Sequence, residues 1–288
     1  MSRFVGRVGE WYFAEVSRKR LQLLRAVTGG FIALYLAIRL PFFIDLTNTD
    51  LAFWEPVGVL HWFDAPWPDV GVYALVFGAL ILGVLFASGV GFRVVGPAFA
   101  VVLLALFTYR SSWGQLLHFE NVMFLQVALI SIASAGRRGG SDRTGALDLV
   151  PGWPIRLLTI VVVVTYMLAG WAKLRFGGGS WLFGDTLRNH VASANVRREL
   201  LGQTSSPIGR FMVSQPWMFA PAALATVAIE LGAWVALLTR RLTVVWVIAA
   251  WLMHIGIAAT MLIVFPMPVF GVAFASFFVV SQPRTRHD

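Results

Sequence analysis

The sequence predicts an all-α fold, a polytopic bundle of about eight transmembrane helices with both termini on the cytoplasmic side. Three observations predict it. Hydrophobic residues fill 58% of the 288 positions and charged residues only 13%, with a mean hydropathy of +0.75, values typical of polytopic membrane proteins rather than soluble domains. Several apolar runs approach or reach the ~20 residues a helix needs to cross a hydrocarbon core. Basic residues gather between alternate runs, as they do in loops kept in the cytoplasm.

Residues 1–20 place Phe4, Val8, Trp11, Tyr12 and Val16 at helical spacing among basic residues. This pattern predicts a short amphipathic helix lying on an anionic membrane face. The segment has no uninterrupted apolar core and no small-residue cleavage site, so it does not read as a signal peptide. Residues 21–288 form the membrane domain. Its expected spans run roughly 22–44, 71–88, 94–109, 117–135, 155–174, 217–238, 242–264 and 267–281. The last two can instead form a re-entrant pair around Pro266 and Pro268.

Loop charges orient the bundle. Arg3, Arg7, Arg18, Lys19, Arg20, Arg93, Arg137, Arg138, Arg143, Arg240, Arg241, Arg284 and Arg286 all fall on one side of an eight-span arrangement. That side is therefore cytoplasmic. Residues 45–70 hold Asp45, Asp50, Glu55, Asp64 and Asp69 and no lysine or arginine, and they open the outer side. The outer loop 175–216 is an exception, with five arginines. Its stretch SWLFGDTLRNHVASANVRREL suits an amphipathic helix roofing the outer surface.

Composition also excludes chemistry. Cysteine is absent, so disulfides, thiolate metal sites, iron–sulfur clusters and Cys nucleophiles are ruled out. The net charge of +9 follows membrane topology and does not point to nucleic acid. Phosphate-cradling loops ending in Lys-Ser/Thr, His-Glu-x-x-His and Gly-x-Ser-x-Gly are not found, and no metal is expected. The bias of twenty-one arginines over two lysines fits a GC-rich bacterial genome and hence a bacterial plasma membrane.

Ionisable groups inside apolar spans are costly, which makes them functional candidates. Lys173 ends span five, His118 and Glu120 open span four, Arg39 and Arg110 end spans one and three, and Glu230 and His254 lie within spans six and seven. In this topology most of them sit in the outer half. Each has a structural reading too: Lys173 snorkelling to headgroups, Arg39 and Arg110 pairing with Glu120 or lipid phosphate, and Glu230 with His254 forming an interhelical pair. Lys173 stands where the chain otherwise uses arginine. Arginine stays protonated, whereas a lysine in a poorly hydrated site near cations such as Arg175 or Arg110 can act as a neutral amine base.

The pattern Tyr166-x-x-Ala169-Gly170-x-x-Lys173-Leu174, followed by Trp181-x-x-Gly184, resembles the core of vitamin K-dependent gamma-carboxylases and their bacterial relatives, the HTTM (horizontally transferred transmembrane domain) proteins. Ser112-Trp113 with His118, Leu125 and Gln126, and Glu230-Leu231 through Arg240 to His254, add weaker matches. The resemblance covers about 20–280 and implies a reaction centre on the outer side. It makes Lys173 the base that takes a proton from a hydroquinone and His118 the assisting histidine. It also implies a quinone pocket including Tyr166, Gly170, Trp181, Glu120, His254, Glu230 and Arg110.

The implied cofactors are a reduced naphthoquinone of the menaquinol or vitamin K hydroquinone kind and O2, with CO2 as an electrophile. Two departures matter. Ala172 stands where the carboxylases have a second lysine, and the large lumenal domain of the animal enzymes has no counterpart before Asp288. A separate substrate-binding protein is then an expected partner, beside the lipid bilayer and the quinone. The alternative expectation is a non-catalytic scaffold, maturation factor or lipid-binding protein of the same fold. A transporter ranks third, because no internal repeat stands out.

Overall fold

A computed structural model describes residues 2–114, 118–135 and 149–279. Arg137, Arg138, Arg143, Arg284 and Arg286, used above for orientation, lie outside the described residues. Among those described, six helical stretches are long and apolar enough to cross a membrane: Arg18–Ile38, Asp69–Ser88, Phe92–Ser111, Trp153–Phe183, Pro216–Leu237 and Arg240–Met261. The chain is accordingly an all-α, multi-pass membrane protein. Lipid offers backbone groups no hydrogen-bond partners, so each apolar run satisfies them within its own helix. The chain divides into two units, Met1–Leu158 with Ala275–Asp288, and Thr159–Phe274.

The first unit begins with α1 (Ser2–Phe13) and β1 (Glu15–Ser17). The amphipathic helix expected over 1–20 therefore ends at Phe13. A partner remote in sequence ends it, because β1 pairs antiparallel with β2 (Leu149–Pro151), Val16 opposite Val150. Arg156, which is 1% exposed, donates to the Ala14 carbonyl and lies against Trp11, 5.7 Å from the ring centroid. It thus caps the end of α1, where carbonyls lack helical partners.

Four helices form the body of this unit: α2 (Arg18–Ile38), α4 (Asp69–Ser88), α5 (Phe92–Ser111) and α6 (His118–Ala135), with α3 (Leu40–Asp45) following α2. Helix α2 packs on α4 and α6, and α5 packs on the same two. Val72, Val76, Ala79 and Phe86 of α4 are fully buried, while Val70, Phe77, Ile81 and Val84 of the same helix are exposed. Both faces are apolar because one meets protein and the other lipid. Gly89 ends α4 in the left-handed region (φ 83°) and donates its N–H to Leu85 O at 2.9 Å; a side chain is disfavoured in that conformation. The span expected at 117–135 contributes a shorter apolar stretch, Phe119–Ala133. The acidic segment 45–68 is tied to the end of α5, where Ser112 accepts from Glu55 N through its carbonyl and from Val57 N through its hydroxyl.

The second unit holds the rest of α7 (Trp153–Ala172), then α8 (Gly178–Phe183), α9 (Thr186–Leu200), α10 (Pro207–Val213), α11 (Phe219–Leu231), α12 (Arg240–Met261) and α13 (Pro266–Val269). The segment expected to roof the outer surface is two helices, α8 and α9, separated at Gly184. Buried Asn195 locks α9 and α10 to the end of α12: its Nδ2 donates to Thr260 O at 2.9 Å and its Oδ1 accepts from Ser206 N at 2.6 Å. The last expected span, 267–281, has no continuous helix among its described residues. It comprises α13, a 3₁₀ turn Val272–Phe274 and, in the first unit, α14 (Ser276–Val279). Pro266, Pro268 and Gly271 (φ 75°) interrupt it, since proline removes a donor and left-handed glycine reverses the helical sense.

Candidate functional site around Lys173

Helix α7 carries no charged side chain from Leu157 to Ala172 and then changes type. Residues Lys173–Gly177 form a π-helical turn, followed directly by α8. A π-turn inserts an extra residue and re-aims the side chains beyond it, and such turns are frequent at functional sites. The insertion falls on Lys173, the first polar side chain after the run.

Lys173 Nζ donates to both carboxylate oxygens of Glu230 on α11, at 2.5 Å to Oε1 and 2.6 Å to Oε2. The lysine side chain is 21% exposed and the glutamate 7%. Close helix contact makes the pair possible. A Cβ placed on Gly170 would lie 2.9 Å from Glu230 Cβ and 3.0 Å from Leu231 Cγ. Glycine one turn before Lys173 therefore lets α7 and α11 touch at the level of the pair. Lys173 Nζ also lies 5.4 Å from the Trp181 ring centroid, within cation–π range. The same ring lies beside His190 of α9, with centroids 5.5 Å apart. Trp181 Nε1 is buried and has no hydrogen-bond partner among the described residues.

A buried aromatic group adjoins the pair. Tyr166 contacts Trp246, His254 and Phe274, with ring centroids 5.1, 5.7 and 6.2 Å away. His254 Nδ1 lies 2.8 Å from Ala250 O and 3.4 Å from Tyr166 Oη. A carbonyl only accepts, so Nδ1 carries the proton and Nε2 is the basic nitrogen of the neutral ring. Tyr166 lies on α7 one turn before Gly170, the residue that touches Glu230 and Leu231. Lys173, Glu230, Gly170, Trp181, Tyr166 and His254 thus belong to one neighbourhood.

The partners differ from those the sequence suggested. The group facing Lys173 is an anion, and Arg175 lies over Phe176 at 5.8 Å. Glu230 pairs with Lys173, while the Nδ1 of His254 faces Ala250 and Tyr166. Lys173 thus has a carboxylate as its hydrogen-bond partner, where cationic neighbours were expected.

Of the other candidates, Arg110 and Glu120 come together in the first unit. Glu120 Oε1 accepts from Tyr35 Oη at 2.8 Å, and Oε2 lies 3.6 Å from Arg110 NH1. Arg110 is 2% exposed and Glu120 1%. His118 is the first residue of α6, and its side chain lies outside the described residues. Sequence reasoning missed Tyr35, His190 and Asn195. Tyr35 carried a usable signal, since a phenol inside an apolar span needs a partner. His190 carried none, because only the fold of α8 and α9 brings it to Trp181.

Fold and site together define an integral, multi-pass, all-α membrane protein with a half-buried lysine–glutamate pair between two of its helices. In comparisons with family models, curated proteins and solved structures, no match to the chain was found.

Proposed function

We propose that this neighbourhood takes a proton from a reduced isoprenoid quinone, with Lys173 as the accepting group and Glu230 as its proton partner. The observation that carries the reading is the Lys173–Glu230 pair on the π-turn. Passing a proton from ammonium to carboxylate turns an ion pair into two neutral groups, so no net charge has to be stabilised in the apolar interior. The freed amine lone pair is then available to a phenolic proton, a task arginine cannot perform. His254, with Nε2 unprotonated, offers a further resting place for that proton.

The residues present fit a quinol ring. The buried indole N–H of Trp181, lacking a partner among the described residues, is a donor suited to a quinol oxygen beside Lys173. When bound, the quinol supplies an acidic phenolic hydrogen and two electrons, with O2 as oxidant; a carbon acid and CO2 complete the proposed reaction. Glu230 orients the amine, and the packed rings around Tyr166 exclude water.

A second reading has its own observation. The same two-oxygen contact, set on the close approach at Gly170, is also an effective clamp between α7 and α11. It suits a non-catalytic scaffold, maturation factor or lipid-binding protein. The test is oxygen-dependent conversion of a naphthohydroquinone to its epoxide by purified protein, beside Lys173→Ala and Lys173→Arg. Activity in wild type and loss in both variants supports the base role. Activity retained in Lys173→Arg removes it and favours the clamp. Inactive wild type, repeated with native-host membranes to supply partners, favours the scaffold.

A further inference from the structure

The first unit contains a second charged group, formed by Arg39, Arg110 and Glu120. Arg39 sits at the break between α2 and α3, its guanidinium 4.5 Å from the Phe42 ring centroid and 6.0 Å from that of Tyr35. Arg110, from the end of α5, approaches Phe42 to 5.7 Å. One phenyl ring thus carries two guanidiniums, and Glu120 is the carboxylate beside them. Arg39 forms no ion pair among the described residues, and its Nε is buried without a hydrogen-bond partner there. Among the described residues, two arginines beside one carboxylate leave an excess of positive charge at the ends of apolar helices. Helix carbonyl ends offset part of it, but an ionised group at membrane depth normally has a counter-charge.

The direction from which that counter-charge arrives is set by Arg39's neighbours. Leu34 is 59% exposed, Ile38 70% and Phe42 37%, an apolar flank that faces lipid. A ligand reaching Arg39 along this flank must itself be amphiphilic. We propose that Arg39, backed by Arg110 and held in plane by Phe42, binds the phosphate-bearing headgroup of an anionic phospholipid whose chains lie along Leu34 and Ile38. Guanidinium suits phosphate because its planar donors match two oxygens at once. The proposal does not depend on the quinol reading.

The test is native mass spectrometry of the full chain with phosphatidylglycerol and phosphatidylcholine of identical acyl chains. Wild type is expected to retain phosphatidylglycerol preferentially. Arg39→Gln is expected to weaken that binding about fivefold, with phosphatidylcholine unchanged and Arg241→Gln behaving as wild type. Equal retention of the two lipids by wild type, or unaltered phosphatidylglycerol binding in Arg39→Gln, overturns the proposal. Displacement of phosphatidylglycerol by millimolar inorganic phosphate overturns the lipid source and assigns the site to free phosphate. If Arg39→Gln does not fold, Phe42→Leu, which keeps both charges, is expected to reduce the preference; no change there overturns the proposal as well.

Discussion

Lys173 Nζ lies almost equally far from the two oxygens of Glu230, at 2.5 and 2.6 Å, so one ammonium group engages the whole carboxylate. The contact joins a π-turn at the end of α7 to the penultimate residue of α11. It gives the second unit a polar centre whose two members depend on each other.

Because the partners are mutually dependent, removing one should cost more than removing both. Glu230→Gln leaves an ammonium without its counter-ion and is expected to destabilise the protein by about 3 kcal/mol, the low end for a buried pair because Lys173 retains some exposure. Lys173→Met combined with Glu230→Gln should recover most of that loss. Thermal unfolding in detergent, read as a double-mutant cycle, checks it. Additive losses would show that the pair does not couple.

Gly170 carries the approach of α7 to α11, and Gly170→Leu should force the helices apart at the level of the pair. Overpacking of this kind costs about 1–3 kcal/mol, and the Lys173–Glu230 coupling should shrink in the same background. Repeating the double-mutant cycle in Gly170→Leu measures both.

Trp181→Phe keeps an aromatic ring beside Lys173 while deleting the indole N–H and one of the two fused rings. Thermal stability should stay near wild type. The KM for a naphthohydroquinone should rise by about five- to tenfold, the loss of one hydrogen bond of roughly 1 kcal/mol or slightly more, with little change in kcat. A fall in kcat at constant KM would place Trp181 in proton transfer instead of binding.

In the first unit, Tyr35→Phe removes the donor to Glu120 Oε1. A buried carboxylate deprived of a hydrogen bond is expected to destabilise by about 1.5–3 kcal/mol. Chemical denaturation beside Glu120→Gln checks it: the glutamine variant should make the later loss of the Tyr35 hydroxyl much cheaper.

Arg156→Met deletes the donor to the Ala14 carbonyl while keeping an apolar stem. It should free the N-terminal segment without unfolding the helical body. Faster hydrogen exchange confined to residues 2–17, at unchanged thermal midpoint, is the expected outcome. Uniform exchange would mean that Arg156 supports the whole unit.

The spans were legible in the sequence because the bilayer imposes a local rule. Every backbone N–H and C=O in lipid must be paired within its own helix, so a run such as 71–88 declares itself without any partner. Lys173, Glu230 and Glu120 were legible for a related reason, since an ionisable group in such a run is conspicuous. What each side chain meets was not legible. Side-chain direction turns by about 100° per residue around a helix axis, so a small change in rotation decides whether Glu230 faces Lys173 or His254. The π-turn at Lys173–Gly177 makes such a change, and hydropathy carries no trace of it. The same holds for the end of α1 at Phe13, which depends on Val150 and Arg156, residues remote in sequence. The sequence by itself determined which segments are helical and apolar and which charges had to be accommodated. Tertiary packing alone decided the partners, because pairing depends on helix rotation and distant contacts, while burial in lipid depends only on local composition.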